Sequence, residues 1–558
     1  MEQARLVIAI VLSAAVFLVW QFFFVDRDAV EKTAEKTAQP PAKTEQVQPA
    51  QQPYATEQKA PPTNATGVTD AAVAAPAQPG RIITVETPLY SAKISVQDAG
   101  IVSFILKDYR ETVAEDSPLK EIIPQESIFE TVLIGYDGKS LGGLNTAVFS
   151  TSLDVDTLSV QQGSQKISFS WTSSQGVVVE KTYSFVPDSY LMGLDVTVKN
   201  GSDRSIQDKL YIALRGQVSK DGRAYGFEGP STLINDSLEE VDIDDIADKN
   251  TYPGTLKWVA VQDRYFMTSI IPNQAQEATM RLSVKDNNLL EAQYLNPISD
   301  IRPGTQHNYQ YALFFGPRST KVLEAAGHDL SKALNFGFFD IIAKPCVWLM
   351  NLLYGVIPNY GIAIIILTLL IKIVLWPLGS KSYKSMSEMK KIQPLMKEVR
   401  EKYKDDKKKM NEEVMGLYRT YKINPLGGCL PMVVQLPVFF ALYRMLYQAI
   451  ELRHAPFFLW IDDLSAPDRL FRFPVEHIPF MEPPYGIPVL TLIMGASMLL
   501  QQKMSPPMGD PTQAKMMMFM PVIFTVIFIN FSSGLVLYWL VNNILSIAQQ
   551  YYIQKKYA

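Results

Sequence analysis

The feature that most constrains this chain is where its apolar runs fall. Runs long enough to cross a hydrocarbon core of ~30 Å lie at the amino-terminal end and again in the last third, and the stretch between them is polar. A wholly water-soluble protein is therefore excluded, although the mean hydropathy is only +0.03 and apolar residues make up 47%. With 558 residues the chain has room for roughly three or four domain-sized units. Its two cysteines, Cys346 and Cys429, exclude a disulfide scaffold, and neither has a neighbour at metal-binding spacing. His307, His328, His454 and His477 all lie outside the long apolar runs, so no metal site, haem or other cofactor is expected.

Residues 1–26 read as an anchor. Leu6 to Val25 is long enough to span. The competing reading is a cleaved signal peptide, but the run is too long for one and Gln21 to Asp26 offers no small residues for cleavage. Arg5 before the span and acidic residues after it favour a cytoplasmic amino terminus. Residues 27–80, rich in Ala, Pro, Gln, Thr and Lys, cannot bury enough apolar surface to offset their ordering entropy and read as a disordered linker.

Residues 81–330 change to short β-type runs: Ile82 to Glu86, Ile101 to Ile105, Ile167 to Trp171, Val177 to Phe185 and Leu191 to Val198. Turn signals such as Ser173 to Gly176, Pro187-Asp188 and Asn200-Gly201 separate them. Many short strands without βα alternation predict a large antiparallel β-sandwich. Residues 81–316 carry 20 Lys and Arg against 31 Asp and Glu, a net −11 that suits the translocated side.

The last third predicts an α-helical polytopic membrane core, for about six spans in all. Residues 331–357 are apolar but hold Asp340, Lys344 and Pro345, so a spanning helix competes with an interfacial amphipathic one. Residues 358–378 read as the second span. The loop 379–425 carries 13 basic and 7 acidic residues, a net +6 that places it in the cytoplasm. One crossing must then separate it from the β domain, which favours the interfacial reading of 331–357. Helical spacing of Met386, Met389, Ile392 and Met396, and of Met410, Val414, Leu417 and Tyr421, predicts a two-helix hairpin. Such a hairpin is either a solvated charged face or a docking arm. Residues 426–450 form a third span, 451–485 an outer loop, 486–503 a fourth span and 504–515 a cytoplasmic loop. Residues 516–550 would run ~52 Å as one helix, too long for one crossing, and Asn530 to Gly534 is a breaker. Two short spans fit, and they return the tail 551–558 to the cytoplasm.

Lys372 is the sharpest chemical signal. A lysine near the centre of a span costs on the order of 2.5–3.5 kcal/mol and needs a partner or water. It lies five residues from Pro377, so snorkelling to the interface competes with a role in a polar groove. Thr368, one turn earlier, suggests a polar stripe, and Gln435, Asn542, Asn543 and Ser546 add polar groups in other spans. Each alone reads as an interhelical hydrogen bond; together with one cation they suggest a water-accessible groove. No H-E-x-x-H or G-x-S-x-G occurs, and Gly135 to Ser140 lacks the upstream glycine of a phosphate loop and reads as a turn, so no enzyme is inferred.

The string Asn424-Pro-Leu-Gly-Gly-Cys-Leu-Pro-Met-Val-Val-Gln-Leu-Pro-Val-Phe-Phe-Ala-Leu-Tyr443 strongly resembles the YidC/Oxa membrane protein insertase family. So do Lys503-Met-Ser-Pro506, Phe519-Met-Pro-Val-Ile-Phe524 and Ser533-Gly-Leu-Val-Leu-Tyr-Trp539. The anchor, linker and β domain resemble the Gram-negative form, which implies a periplasmic, mutarotase-like supersandwich and an inner-membrane location. The resemblance also implies insertion and folding of inner-membrane proteins, alone or with the Sec translocon, through a hydrophilic groove with one basic residue and no nucleotide hydrolysis. Lys372 stands where the family has that residue, usually Arg. Thr368, Gln435, Asn542 and Asn543 would line the groove, and Leu436, Tyr538 and Trp539 are candidate substrate contacts. The hairpin, with Lys390, Lys391, Lys397, Arg400, Lys407 and Lys408, matches the family's docking region for the signal recognition particle pathway; the ribosome is a weaker expected partner. The implied partners are nascent inner-membrane proteins and the bilayer, with no direct nucleic-acid contact. The competing classes are a channel or transporter gated by the outer domain, and a membrane-anchored carbohydrate enzyme.

Overall fold

The structure is a computed structural model, and it describes residues 80–558 apart from 124–129, 139, 218–226, 286–287, 422–429, 476, 506–510 and 558. The expected anchor 1–26, nearly all of the linker 27–80 and part of the loop 504–515 lie outside the described residues.

The β domain follows from two-residue alternation. Val177–Phe185 and Leu191–Asn200 alternate strictly between buried and half-buried positions. They pair antiparallel with each other, and Leu191–Asn200 also pairs with Gln306–Pro317, in the middle of a 13-stranded sheet. A five-stranded sheet runs Leu119–Ile123, Ile101–Arg110, Tyr90–Ser95, Ile82–Glu86, Thr157–Ser159. Its last pair is parallel, Thr84 to Glu86 against Thr157 to Ser159, a departure from the all-antiparallel expectation. The sheets share one core, where Phe104 of the smaller meets Phe315 of the larger at 5.2 Å between ring centroids. The turn around Gly138 uses its amides on the Asp208 carboxylate: Gly138 N donates to Oδ1 at 2.9 Å and Ser140 N to Oδ2 at 3.2 Å. The protein's own carboxylate thus occupies that anion-sized slot.

Alternation sends one cation into this core. Lys181 is fully buried, and its Nζ donates to the carbonyls of Asp98 (3.1 Å), Ala99 (2.7 Å) and Val132 (2.9 Å). All three acceptor residues have left-handed backbones, with φ of 55°, 45° and 62°. Such turns leave carbonyls unpaired, and the lysine satisfies them.

Helices follow the strands. We label them α1 (Thr320–Ala326), α2 (Asp340–Val356), α3 (Tyr360–Lys402), α4 (Lys407–Thr420), α5 (Leu430–Gln448), α6 (Val489–Met504), α7 (Pro511–Phe528) and α8 (Ser533–Tyr557). Helix α3 differs from the expectation of a span that stops at 378. It continues through Pro377 and Pro394 for 43 residues, about 64 Å at 1.5 Å per residue. The stretch expected to span and the stretch expected as the first hairpin arm are one continuous helix. Its far half packs against α4, with Met389, Ile392 and Met396 meeting Val414, Leu417 and Tyr418. Helices α7 and α8 are separate, as the breaker predicts, with the turn 529–532 between them.

The outward faces of the core helices are apolar. Ile373 and Val374 on α3, Leu492 and Ile493 on α6, and Phe519, Val522 and Ile523 on α7 are all exposed. An apolar belt of that extent is stable against lipid and not against water. Among the described residues, Gly337–Val356 and Tyr360–Lys402 are long and apolar enough to cross a membrane. Helix α2 buries Ala343, Cys346, Val347 and Met350 and exposes Ile341, Trp348, Leu352 and Val356.

The β domain is tied to the helices by arginines. Arg264 donates from Nε to the Tyr447 carbonyl at 2.6 Å and stacks 3.7 Å above the Tyr447 ring. Arg453 Nη2 reaches the Arg110 carbonyl at 2.5 Å, and Ile450 joins the β-domain core.

Candidate functional site

The polar groups of the helical core converge where α3, α5 and α8 meet. Lys372 on α3 donates from Nζ to Ser546 Oγ at 2.7 Å and reaches Asn542 Oδ1 at 3.5 Å, both on α8. Gln435 on α5 donates from Nε2 to the same Asn542 Oδ1 at 3.0 Å and lies 3.4 Å from the Tyr538 hydroxyl. Ser546 Oγ returns a bond to the Asn542 carbonyl at 2.7 Å. The ammonium is thus solvated by neutral dipoles. Neutral partners leave its net charge in place, which a carboxylate would cancel.

The expected lining residues separate into two groups. Gln435 and Asn542 join Lys372. Asn543 does not: it is buried on another side of α8 and donates to Ser497 Oγ of α6 at 3.1 Å. Thr368 is also buried, and its hydroxyl donates to the Ile364 carbonyl of its own helix at 2.6 Å. That one-turn back-bond is a common fate of helical threonine and removes it from the stripe. Adjacent sequence numbers and one-turn spacing did not reveal these orientations. Ser546, the nearest partner of Lys372, carries no motif beyond being polar in an apolar run.

The substrate-contact candidates also differ in setting. Leu436 is exposed at 45%, whereas Tyr538 is buried at 2%. Trp539 is wedged among rings, 4.7 Å from Phe439 and 5.2 Å from Phe528 between centroids. On the hairpin, Lys390, Lys391, Lys397 and Lys408 are exposed and Arg400 is half-buried; the side chain of Lys407 lies outside the described residues.

Two residues missed in the sequence tie a loop to the ends of the helices. Asp468 and Arg469 stand in the loop between α5 and α6. Asp468 accepts from Trp460 Nε1 at 2.6 Å and from the Leu490 amide at the start of α6. Arg469 donates to the carbonyls of Pro484 and Ile529, each at 2.8 Å, the latter just past the end of α7, and to Asn530 Oδ1 at 3.2 Å. An acid at a helix N-terminus and a base at a C-terminus each complement the local dipole. Burial pushes the Asp468 carboxyl above its ordinary range and the Arg469 guanidinium below its own. Arg469→Ala is expected to cost about 3 kcal/mol, because it orphans several buried acceptors at once. A thermal melt of the detergent-solubilised chain checks this; an unchanged midpoint would contradict it.

Residues 82–349 match the YidC periplasmic domain family and residues 352–558 the 60Kd inner membrane protein family. A membrane protein insertase YidC from Syntrophus aciditrophicus (strain SB) is 39% identical over 562 residues, covering 99% of each chain. The chain belongs to the YidC family of membrane protein insertases. An active YidC insertase crystal structure with the first transmembrane domain resolved covers 85% of this chain and 95% of that one, at 18% identity and a TM-score of 0.36. A galactose mutarotase related enzyme from Lactobacillus acidophilus covers 42% of this chain and 97% of its own, at 12% identity and a TM-score of 0.31. By the two family models, the β-sandwich corresponds to the family's periplasmic domain and the helices to its inner-membrane part.

Proposed function

We propose that this chain inserts and folds inner-membrane proteins through the polar pocket around Lys372. One observation carries the reading: a lysine whose hydrogen-bond partners among the described residues, Ser546 and Asn542, are neutral, set among helices whose outward faces are apolar. A short acidic or polar tail entering such a pocket exchanges water for fixed dipoles and a positive charge, which lowers the cost of moving partway across. The attached apolar segment then gains about 25 cal/mol per Å² as it leaves water for lipid. These two terms drive transfer without nucleotide.

In this proposal six spans cross the inner membrane, both termini are cytoplasmic, and Leu436 and Trp539 flank the exit path. The Sec translocon is a cooperating partner. The exposed lysines of the α3–α4 hairpin dock the signal recognition particle pathway and, more weakly, the ribosome, by charge complementarity. The test uses purified chain in liposomes without nucleotide and a small single-span client with an acidic outer tail. Protease-protected client is the expected outcome, at least about tenfold above empty liposomes, since removal of ~1.4 kcal/mol of barrier suffices. Client left fully digestible would overturn the reading and favour a channel.

A further inference from the structure

The loop between α5 and α6 is inside out for a loop in water. Asp463, Ser465, Asp468 and Arg469 are buried, while Asp462 and Arg472 pair with each other in the open at 3.4 Å. Asp463 Oδ1 accepts from the His454 amide (3.1 Å) and the Ser465 amide (2.8 Å). Asn530 holds it from the α7–α8 turn, accepting from the Glu482 amide at 2.9 Å and donating to the Phe480 carbonyl at 3.1 Å. Asp468 and Arg469 fasten the same loop to the ends of α6 and α7. Ile461 and Leu464 are buried as well, but several of its large apolar residues face outward. Leu459, Phe471 and Phe480 are 90%, 70% and 78% exposed.

The backbone beneath those three is left-handed, with φ of 61°, 51° and 64°. A bulky residue in that region costs of order 1 kcal/mol or more and persists only where its surroundings over-determine it. Here the strain brings no burial within the chain. It holds three large side chains in the open, at fixed places, on a scaffold braced by polar bonds. The apolar belt runs directly into this surface, since the first turn of α6 exposes Leu492 and Ile493 and the last turn of α7 exposes Val526 and Ile527.

We propose that residues 457–475 and 477–481 form a lipid-seated collar in the outer leaflet, with Leu459, Phe471 and Phe480 as its anchors. Continuity with the lipid-facing belt selects lipid over a protein partner as the occupant. Phe and Leu side chains inserted at the boundary between headgroups and acyl chains are a usual device for seating a surface on a bilayer. The collar would hold the α6 and α7 ends at one depth while a client passes.

The test uses the full chain with Cys346 and Cys429 replaced by serine, in liposomes of zwitterionic lipid with no other protein. Single cysteines at 459, 471 and 480 carry an environment-sensitive fluorophore, and Ile298→Cys, on the exposed surface of the β domain, is the control. Lipid-borne quencher is expected to reduce emission at the three loop sites at least about twofold more than at 298, because the anchors sit ~5–10 Å into the interface. A second measurement needs no substitution: a lipid-borne photoreactive probe is expected to label 457–475 and 477–481 in the wild-type chain, mapped by mass spectrometry. Equal, water-like quenching at all four sites, with adducts confined to the helices, would overturn the collar and leave a protein partner as the occupant of this surface.

Discussion

Lys372→Glu is expected to cut insertion of an acid-tailed client at least tenfold, the largest functional effect of any single change in the helical core. At about 8 Å and an effective dielectric near 20, one charge pair is worth about 2 kcal/mol. Reversing the sign turns that attraction into repulsion, a swing of about 4 kcal/mol before water and salt weaken it. Each 1.4 kcal/mol is tenfold in rate. Lys372→Ala loses only the attraction, so a loss of about fivefold is expected once the vacated pocket fills with water. Lys372→Arg keeps the charge, and both Ser546 and Asn542 can accept from a guanidinium, so most activity is expected to remain. The series is read as protease-protected client in nucleotide-free liposomes, with a neutral-tailed client beside the acidic one. A charge mechanism requires the Glu variant to penalise the acidic tail more than the neutral one. Equal insertion by all four proteins would return Lys372 to a side chain that merely reaches for the interface.

What the sequence made legible is what repeats locally. The strand Val177–Phe185 announces itself by two-residue alternation, and the arm around Met389, Ile392 and Met396 by helical spacing. A cation among apolar neighbours likewise marked Lys372. What stayed hidden depends on contacts between distant segments. Thr368 and Asn543 are polar and correctly spaced, yet one bonds its own helix and the other turns toward α6. Only the rotation of α3 and α8 against their neighbours decides this, and composition does not encode it. Asp468 and Arg469 looked like ordinary loop charges because the Arg469 partners Ile529 and Asn530 lie some sixty residues away. Local rules also overstate breakers. Pro377 and Pro394 each remove one amide from α3, but tertiary packing carries the helix past both.

Lys181→Met is expected to lower the melting temperature of the β domain by about 10 °C. The substitution keeps an unbranched side chain, so little packing volume is lost, but the carbonyls of Asp98 and Val132 lose the lysine as donor, and that of Ala99 keeps the Tyr183 hydroxyl alone of the two. It also removes the cation beside Asp98 and Glu130, whose buried Oδ1 and Oε2 have no hydrogen-bond partner. Breaking such a cluster costs about 3–5 kcal/mol, and each kcal/mol is worth about 2–4 °C in a domain of this size. The deficit also has a pH signature. Burial brings Lys181 down to about 7, so above neutrality the unfolded chain holds a proton that the folded one has released, and wild-type stability rises with pH toward 10. Burial and the Asp98 charge bring Glu130 up to about 7, so between 4.5 and 7 the folded chain holds the extra proton and stability falls as pH rises. Without the lysine, Glu130 titrates higher still and that fall extends past neutrality. The gap between wild type and Lys181→Met is therefore expected to be wider at pH 9 than at pH 6. Adding Glu130→Gln to the variant removes one uncompensated acid, and part of the lost stability is expected to return as a positive coupling in the double-mutant cycle. Melts of the full-length chain, followed by tryptophan fluorescence with Trp171 and buried Trp258 as the β-domain reporters among the seven tryptophans, read all three quantities. A pH-independent gap with no coupling would reduce Lys181 to a packing residue that happens to carry an amine.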